Sequence, residues 1–440
     1  MDERYWITTL GCPKNEVDSD KLVGRLTAGG YEPATGPGDA DLVVVNTCAF
    51  IDAAREESIE TILELDSLRK AGSRLVVTGC LAERSGEDLA AALGEIDLVA
   101  GFGVPVEMKT SRRVVRAGDA MERFDTSAQS FDLLELPRSV SGSPWAYVKV
   151  AEGCDRRCGF CAIPSFRGRQ RSRPLVSILR EIDGLRAREI VLIAQDLASY
   201  GHDRSTDDRR GESPGIVELI EAATTHVERL RLLYLYPSSL SDRLVETIVA
   251  TGIAYFDLSL QHASGPLLRR MRRWGDGARF LERIGAIRRL EPAAALRSSF
   301  ILGYPGESEE DHDELLRFLE EAELDWVGFF KFSPEEGTLA AGLGEQVPST
   351  LAVERLRECS ELQDSITARR RRQLVGTTCE VLVDRPGQAR SYREAPEIDG
   401  VVRVPRSLPQ GWLGSVRFVG ARGPDLEAVP ASKLVAGVAL

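Results

Sequence analysis

Apolar runs of about five residues at 5–10, 41–46, 74–78 and 96–100 alternate with helix-spaced stretches at 15–26, 53–68 and 86–93. Strand and helix signals in alternation predict a parallel sheet covered by helices over residues 1–130. A second series follows, with strand-like runs at 145–150, 189–195, 231–236, 255–260, 297–302 and 326–332. Six such units are short of the eight that close a full barrel, so 142–370 predicts a partial (βα)6 barrel with loop-built chemistry at its strand C-terminal ends. From 371 to 440 the helical period fades, and valine-rich runs at 378–384, 400–405 and 414–419 are separated by turns. That pattern predicts a small antiparallel β-barrel. The chain is α/β overall, in three units at 1–130, 142–370 and 371–440. Residues 112–141 carry charged and small residues without a period and read as linker or surface.

Chemistry enters with the cysteines. Cys154, Cys158 and Cys161 form a CxxxCxxC run directly after the strand-like segment 145–150. Three thiolates so close together suit an iron–sulfur cluster, which ordinarily takes four. The next cysteine is Cys359, so one iron would stay open to a small molecule. A closed zinc site wants four ligands, and His202, His226, His262 and His312 stand at no ligand spacing to these cysteines. A disulfide is the remaining bland alternative. Three more cysteines, Cys12, Cys48 and Cys80, each follow one of the first three strand-like runs. Ligand sites of open α/β sheets lie at strand C-terminal ends, so the three are expected to converge on a second cluster, again with an open position. Each is read as opening a helix, where free N–H groups favour a thiolate. The competing reading is three unrelated buried thiols.

Bulk composition adds limits. The net charge of −12 argues against a protein that lives on broad nucleic-acid contact. The last unit carries ten basic and seven acidic residues, a weak case for RNA. No apolar run approaches the ~20 residues of a membrane helix, and the start, Met1-Asp2-Glu3-Arg4, has no signal-peptide character. A cytoplasmic location with reduced thiols is expected, and Cys359 and Cys379 read as free thiols.

The CxxxCxxC run with Phe160 before its last cysteine resembles the signature of the radical S-adenosylmethionine (SAM) enzymes. Two three-cysteine sets, a partial barrel and a small β-barrel together resemble the methylthiotransferases of that superfamily, over essentially the whole chain. In those terms the units are an N-terminal methylthiotransferase cluster domain, a radical SAM partial barrel and a TRAM-like β-barrel. The strings Leu10-Gly11-Cys12-Pro13-Lys14-Asn15, Asn46-Thr47-Cys48-Ala49-Phe50-Ile51-Asp52 and Glu394-Ala395-Pro396-Glu397-Ile398-Asp399-Gly400 are similar to the branch that modifies a ribosomal protein. An acidic loop at 394–400 suits a basic protein substrate better than an RNA.

The resemblance implies two [4Fe-4S] clusters and SAM as cofactors. Cys154, Cys158 and Cys161 would hold the SAM-cleaving cluster, and Cys12, Cys48 and Cys80 the auxiliary one. A 5′-deoxyadenosyl radical would abstract a β-hydrogen that no base can remove. Sulfur and a methyl group would follow. Phe160, Gln195, Asp196, Gln261, His262 and Arg297 are the candidate SAM or substrate contacts; no catalytic acid or base is assigned. The implied partners are small ribosomal subunit protein twelve, free or within the small subunit, and a reducing electron donor, flavodoxin-like or other, with no membrane. Methylthiation of tRNA adenosine is the alternative, and an iron–sulfur electron carrier or RNA-binding scaffold the reading from another class. The arginines 167, 169, 171 and 173 would attract an anionic group or form a solvated face. Arg269, Arg270, Arg272 and Arg273 are read the same way.

Overall fold

The computed structural model describes residues 3–109, 113–116, 132–138, 142–204 and 214–431. The first unit is a six-stranded, all-parallel sheet. Its strands are β1 (Arg4–Thr9), β2 (Glu32–Pro33), β3 (Leu42–Thr47), β4 (Arg74–Gly79), β5 (Leu98–Ala100) and β6 (Val114–Val115), in the order β2-β1-β3-β4-β5-β6. Every residue of β3 is buried, as a central strand covered on both faces requires. Helices α1 (Pro13–Ala28), α2 (Asp52–Leu68) and α3 (Cys80–Ala92) follow β1, β3 and β4. Proline at the first position of α1 surrenders an N–H that would be unpaired there anyway.

Two readings change here. Cys48 does not open a helix, because residues 49–51 continue as loop and α2 starts at Asp52. Much of 112–141 lies outside the described residues. Within it, Val114–Val115 adds an edge strand and Leu134 is buried, so these pieces pack rather than merely link.

The second unit has β7 (Trp145–Lys149), β8 (Ala151–Glu152), β9 (Arg171–Ser172), β10 (Glu189–Ile193), β11 (Arg229–Leu232), β12 (Tyr255–Gln261), β13 (Ala295–Leu302) and β14 (Trp326–Lys331). β8 and β9 form a separate two-stranded piece. The other six make two parallel sheets, β7-β10-β11 and β12-β13-β14, joined by one parallel bridge between Leu235 and Leu258. The result is the open six-stranded barrel that the period of the sequence predicts. β11 ends sooner than its apolar run suggests. Tyr234 takes a left-handed backbone (φ 66°) that breaks the strand, and Leu235 then resumes pairing with β12. A run of five large apolar residues, 232–236, conceals such a break.

The third unit closes a five-stranded barrel of β15 (Thr378–Arg385), β16 (Gln388–Arg390), β17 (Val402–Arg403), β18 (Leu413–Arg422) and β19 (Asp425–Pro430). All its pairings are antiparallel except β17 with β19. Its loop 391–400 enters the N-terminal end of the large barrel. Trp326 Nε1 donates to Arg393 O at 2.6 Å, Tyr147 Oη to Pro396 O at 3.1 Å and Tyr255 Oη to Asp399 Oδ2 at 2.6 Å. Ala395 joins Val17 of α1 in the apolar cluster inside that barrel. The acidic string 394–400 is therefore mainly a plug. Glu394 is fully buried against Arg371, and Asp399 is buried against Arg297. Only Glu397 keeps an exposed carboxylate. This corrects the expectation of a substrate-facing acidic loop.

Candidate active site

The C-terminal edges of the two parallel units face each other. On the first edge, Cys12 precedes α1, Cys48 follows β3 and Cys80 is the first residue of α3. Asn15 ties these ends together. Its Nδ2 donates to Leu10 O at 2.8 Å and Thr47 O at 3.0 Å, and its Oδ1 lies 3.6 Å from Cys80 Sγ. A Cβ placed on Gly11 would sit 2.8 Å from Cys48 Sγ, so the loops of Cys12 and Cys48 are in contact. Gly79 (φ 91°) makes the sharp entry into α3, where a Cβ would meet Asn46 Oδ1 at 2.3 Å. Only glycine fits there.

On the facing edge, Cys154, Cys158 and Cys161 lie on the loop after β8 and before the short helix Ile163–Arg167. Gly153 (φ 77°) starts this loop, and a Cβ there would strike Arg169 O at 2.2 Å. Gly159 is stitched to the barrel by its N–H to Met271 O and by Ala340 N–H to its own carbonyl, both 2.8 Å. Phe160 packs beside them on the central core.

The thiol environments fit cluster ligands. Arg167 Nη2 donates to Cys80 Sγ at 3.1 Å, Arg273 Nη1 to Cys158 Sγ at 3.3 Å and the Arg156 amide to Cys154 Sγ at 3.4 Å. N–H groups aimed at sulfur favour the thiolate that ligates. Burial acts against ionisation of the bare thiols, pushing Cys48 and Cys154 up to about 11, Cys161 up to about 12, and Cys80 upward. Burial opposes ionisation at Cys12 too, but Lys14 and Arg167 outweigh it, and its pKa falls. Buried thiolates of this kind call for a cation to complete them. Among the described residues, no three His, Cys, Asp or Glu side chains are grouped to hold a single metal ion. All eight cysteines are free of disulfides.

Arg167 is the link between the two edges. It is buried and pairs with Glu152 at 2.9 Å and Asp18 at 3.4 Å, besides Asn15 Oδ1 at 2.6 Å and Cys80. Lys149 joins the same group through Asp18 and, at 2.7 Å, Glu152. Arg173 is likewise buried, whereas Arg169 and Arg171 are exposed. The arginine run is thus half structural bridge and half solvated face.

The expected SAM contacts divide. Gln195 Nε2 donates to Glu152 Oε1 at 2.6 Å, while its buried Oε1 has no partner among the described residues. Asp196 Oδ2 holds Arg156 at 2.7 Å, and its buried Oδ1 is likewise without a partner among them. Arg156 and Arg273 lie over the Tyr236 ring, at 3.9 and 4.0 Å from its centroid. Gln261 ends β12 in a left-handed backbone (φ 74°). His262 is fully buried; its Nδ1 accepts the Ser264 amide, and burial drives its pKa down to about 3. Nothing brings it to the cysteine loops. Arg297 is held by Asp257 at 2.8 Å and Asp399 at 3.5 Å, deeper in the barrel towards the plug. Asn15 and Glu152 were not singled out from the sequence, whereas Tyr236 ends the third strand-like run of the barrel, 231–236, on the face where its chemistry is expected. The motif neighbours of Cys12 and Cys154 offered the only signal for the first two.

Comparison with known proteins agrees with this layout. Residues 4–101 match the uncharacterized protein family UPF0004, residues 148–319 the radical SAM superfamily and residues 375–430 the TRAM domain. The ribosomal protein uS12 methylthiotransferase RimO of Moorella thermoacetica is 43% identical over 408 residues, covering 91% of this chain and 93% of its own. The protein of that name from Anaeromyxobacter sp. strain Fw109-5 is 40% identical over 444 residues, covering 96% and 92%. At such identity over nearly the full length of both partners, the chain belongs to the RimO family of radical SAM methylthiotransferases.

Proposed function

We propose that this protein adds a methylthio group to the β-carbon of an aspartate of small ribosomal subunit protein twelve (uS12). The observation that carries the reading is the meeting of two three-cysteine sets at one domain interface, with Arg167 reaching from the loop of one to a thiol of the other. Cys154, Cys158 and Cys161 would hold one [4Fe-4S] cluster with SAM, and Cys12, Cys48 and Cys80 the second. When bound, these groups supply the one-electron and sulfur chemistry that an unactivated C–H bond requires.

The chain's own residues prepare that space. Gln195 Oε1 and Asp196 Oδ1 are buried acceptors without partners among the described residues, on side chains whose other atoms hold Glu152 and Arg156. Arg156 and Arg273 fix Tyr236 as a flat wall beside the cysteine loop. The plug 391–400 closes the opposite end of the barrel, so entry is from the interface side. A reducing electron donor, flavodoxin-like or other, and a cytoplasmic location belong to the same reading. No helix among the described residues is long and apolar enough to cross a membrane.

The test is an anaerobic reaction of reconstituted protein with SAM, reductant, and either uS12 or tRNA, followed by mass spectrometry. A methylthio group on a uS12 aspartate, with tRNA unchanged, is the expected result. Methylthioadenosine in tRNA with uS12 untouched contradicts the substrate. Failure to release 5′-deoxyadenosine contradicts the chemistry and returns the protein to an electron carrier or scaffold.

A further inference from the structure

The large barrel is open between β7 and β14, each of which pairs with a neighbour on one side only. The N-terminal unit spans that gap and is fastened to both of its sides. On the β7 side the fastening is broad. Arg167 and Lys149 both hold Asp18 of α1, and Ala162 and Phe166 are buried in the apolar cluster of Val77, Leu81 and Val99. On the β14 side it is polar and centres on one carboxylate. Glu335 lies four residues past the end of β14 and is 2% exposed. Arg55 of α2 and Arg84 of α3 both donate to its Oε2, Arg84 at 2.6 Å. Ser333 Oγ donates to its Oε1 at 2.6 Å and accepts the amide of Asp52, the first residue of α2, at 3.1 Å. Both oxygens of the carboxylate are thus engaged, with two guanidinium groups from across the interface.

Arg84 carries this junction to the cysteines. Its Nη1 also donates to the carbonyl of Ala49, the residue after Cys48, at 3.0 Å. Arg84 itself stands on α3, which begins at Cys80. Through one guanidinium, Glu335 therefore reaches the loops of two of the three N-terminal motif cysteines. The other cysteine set, Cys154, Cys158 and Cys161, rides on the barrel that carries Glu335. A unit fastened on one side of a gap can pivot about that side; fastened on both, it is held at one angle. A substrate carbon activated at one cysteine set must be met at the other, so that angle sets whether the two steps connect. A displacement of about 1 Å at a reacting centre can lower a rate on the order of 10²-fold.

We propose that Glu335 is a positioning residue for the transfer step: acting through Arg84, it holds the edge of Cys12, Cys48 and Cys80 in register with the loop of Cys154, Cys158 and Cys161. The assignment rests on the proposed methylthiotransferase reading and deepens it. SAM cleavage draws on the barrel's own cysteines. Loss of the junction should therefore uncouple the reaction, leaving 5′-deoxyadenosine formed without matching methylthio product.

The experiment measures 5′-deoxyadenosine and methylthio product in the same anaerobic reaction of the full-length reconstituted protein. Wild type is compared with Glu335→Ala, Arg84→Met and the double variant. Glu335→Ala should load iron as the wild type does and still release 5′-deoxyadenosine. Its methylthio product per 5′-deoxyadenosine should fall by about 10–100-fold. Arg84→Met should show the same fall, and the double variant no further one, because both substitutions cut a single connection. Glu335→Gln keeps an acceptor for Arg84 and should retain part of the coupling. Amide hydrogen exchange of the resting holoprotein should quicken at 50–56 and 333–338 in Glu335→Ala and stay unchanged in the plug 391–400. A wild-type product ratio in Glu335→Ala overturns the proposal, and so do additive losses in the double variant. Parallel loss of iron, 5′-deoxyadenosine and methylthio product assigns Glu335 to stability alone and overturns it as well. Should Glu335→Ala fail to fold, Glu335→Gln and Arg84→Met carry the same comparison. A wild-type protein that methylthiates tRNA and leaves uS12 untouched rejects the substrate reading alone, and the ratio read on tRNA then decides the role of Glu335.

Discussion

The two ends of the large barrel are built on opposite principles. At the N-terminal end, buried charges meet buried countercharges. Glu189 holds Arg231 at 2.8 Å, Arg390 at 3.0 Å and Arg229 at 3.1 Å, and Arg371 holds Glu394 at 2.5 Å. At the C-terminal end the accounts are left open. Gln195 and Asp196 each keep an oxygen without a partner among the described residues, and burial pushes up four of the six motif cysteines. Ion pairing dominates the N-terminal end, although Arg229 Nη2 and Arg371 Nη2 there also lack a hydrogen-bond partner among the described residues.

The contrast can be broken most severely at Arg167. Arg167→Met would leave Glu152 and Asp18 to share Lys149 alone, and loss of one member of a buried ionic group costs about 3–5 kcal/mol. Thermal unfolding should show a large fall, and methylthio product should vanish. The same substitution logic at the other end separates stability from chemistry. Glu189→Gln leaves Arg231 without a carboxylate, and Arg390 and Arg229 with only Asp384 and Glu380, and should cost a similar amount, about 3–5 kcal/mol. Yet the ratio of methylthio product to 5′-deoxyadenosine should stay at the wild-type value, because Glu189 touches neither cysteine set. Those guanidinium groups hold the Glu189 carboxyl far below the usual range against the opposing effect of burial. Its contribution is therefore complete above about pH 4, the unfolded value, and lost as pH falls below it.

A smaller effect belongs to Glu16, on α1 where it approaches the plug. Burial first, then Glu397 and Asp20, raise its pKa to about 7. A raised carboxyl favours the protonated folded state, so stability falls as pH climbs from about 4.3 towards 7. Glu16→Gln should be more stable than wild type at pH 8 and equal to it at pH 4, as read by denaturant titration at both pH values. Equal stability at pH 8 would show that Glu16 is not strained by its neighbours.

Legibility followed the same divide. The alternating period revealed the two parallel units, and cysteines at strand ends revealed the edge where they converge. The small barrel was legible from its valine runs and turns, though β17, only two residues long, gave no hint of its parallel pairing with β19. Buried charge was not legible. Arg167 looked like one member of an exposed arginine run, because its partners Asp18 and Glu152 lie in separate segments of the chain. The string 394–400 looked acidic and free, but its charges are absorbed by Arg371 and Arg297, again distant in sequence. His262 sits at a strand end like the cysteines do, but it is buried near Asp311, His312 and Arg355, and its imidazole accepts the Ser264 amide of the turn that follows. Pairing across domains leaves no local periodicity to read.

The central claim is that two cysteine sets carry two clusters with separate tasks, and one measurement addresses it. Iron, 5′-deoxyadenosine and modified uS12 are quantified for the wild-type protein and for two triple variants. The wild type should hold about eight irons. Alanine at Cys154, Cys158 and Cys161 should leave about four and abolish 5′-deoxyadenosine. Alanine at Cys12, Cys48 and Cys80 should also leave about four while 5′-deoxyadenosine is still released and no methylthio group reaches uS12. Methylthiated uS12 from either triple variant would contradict the account.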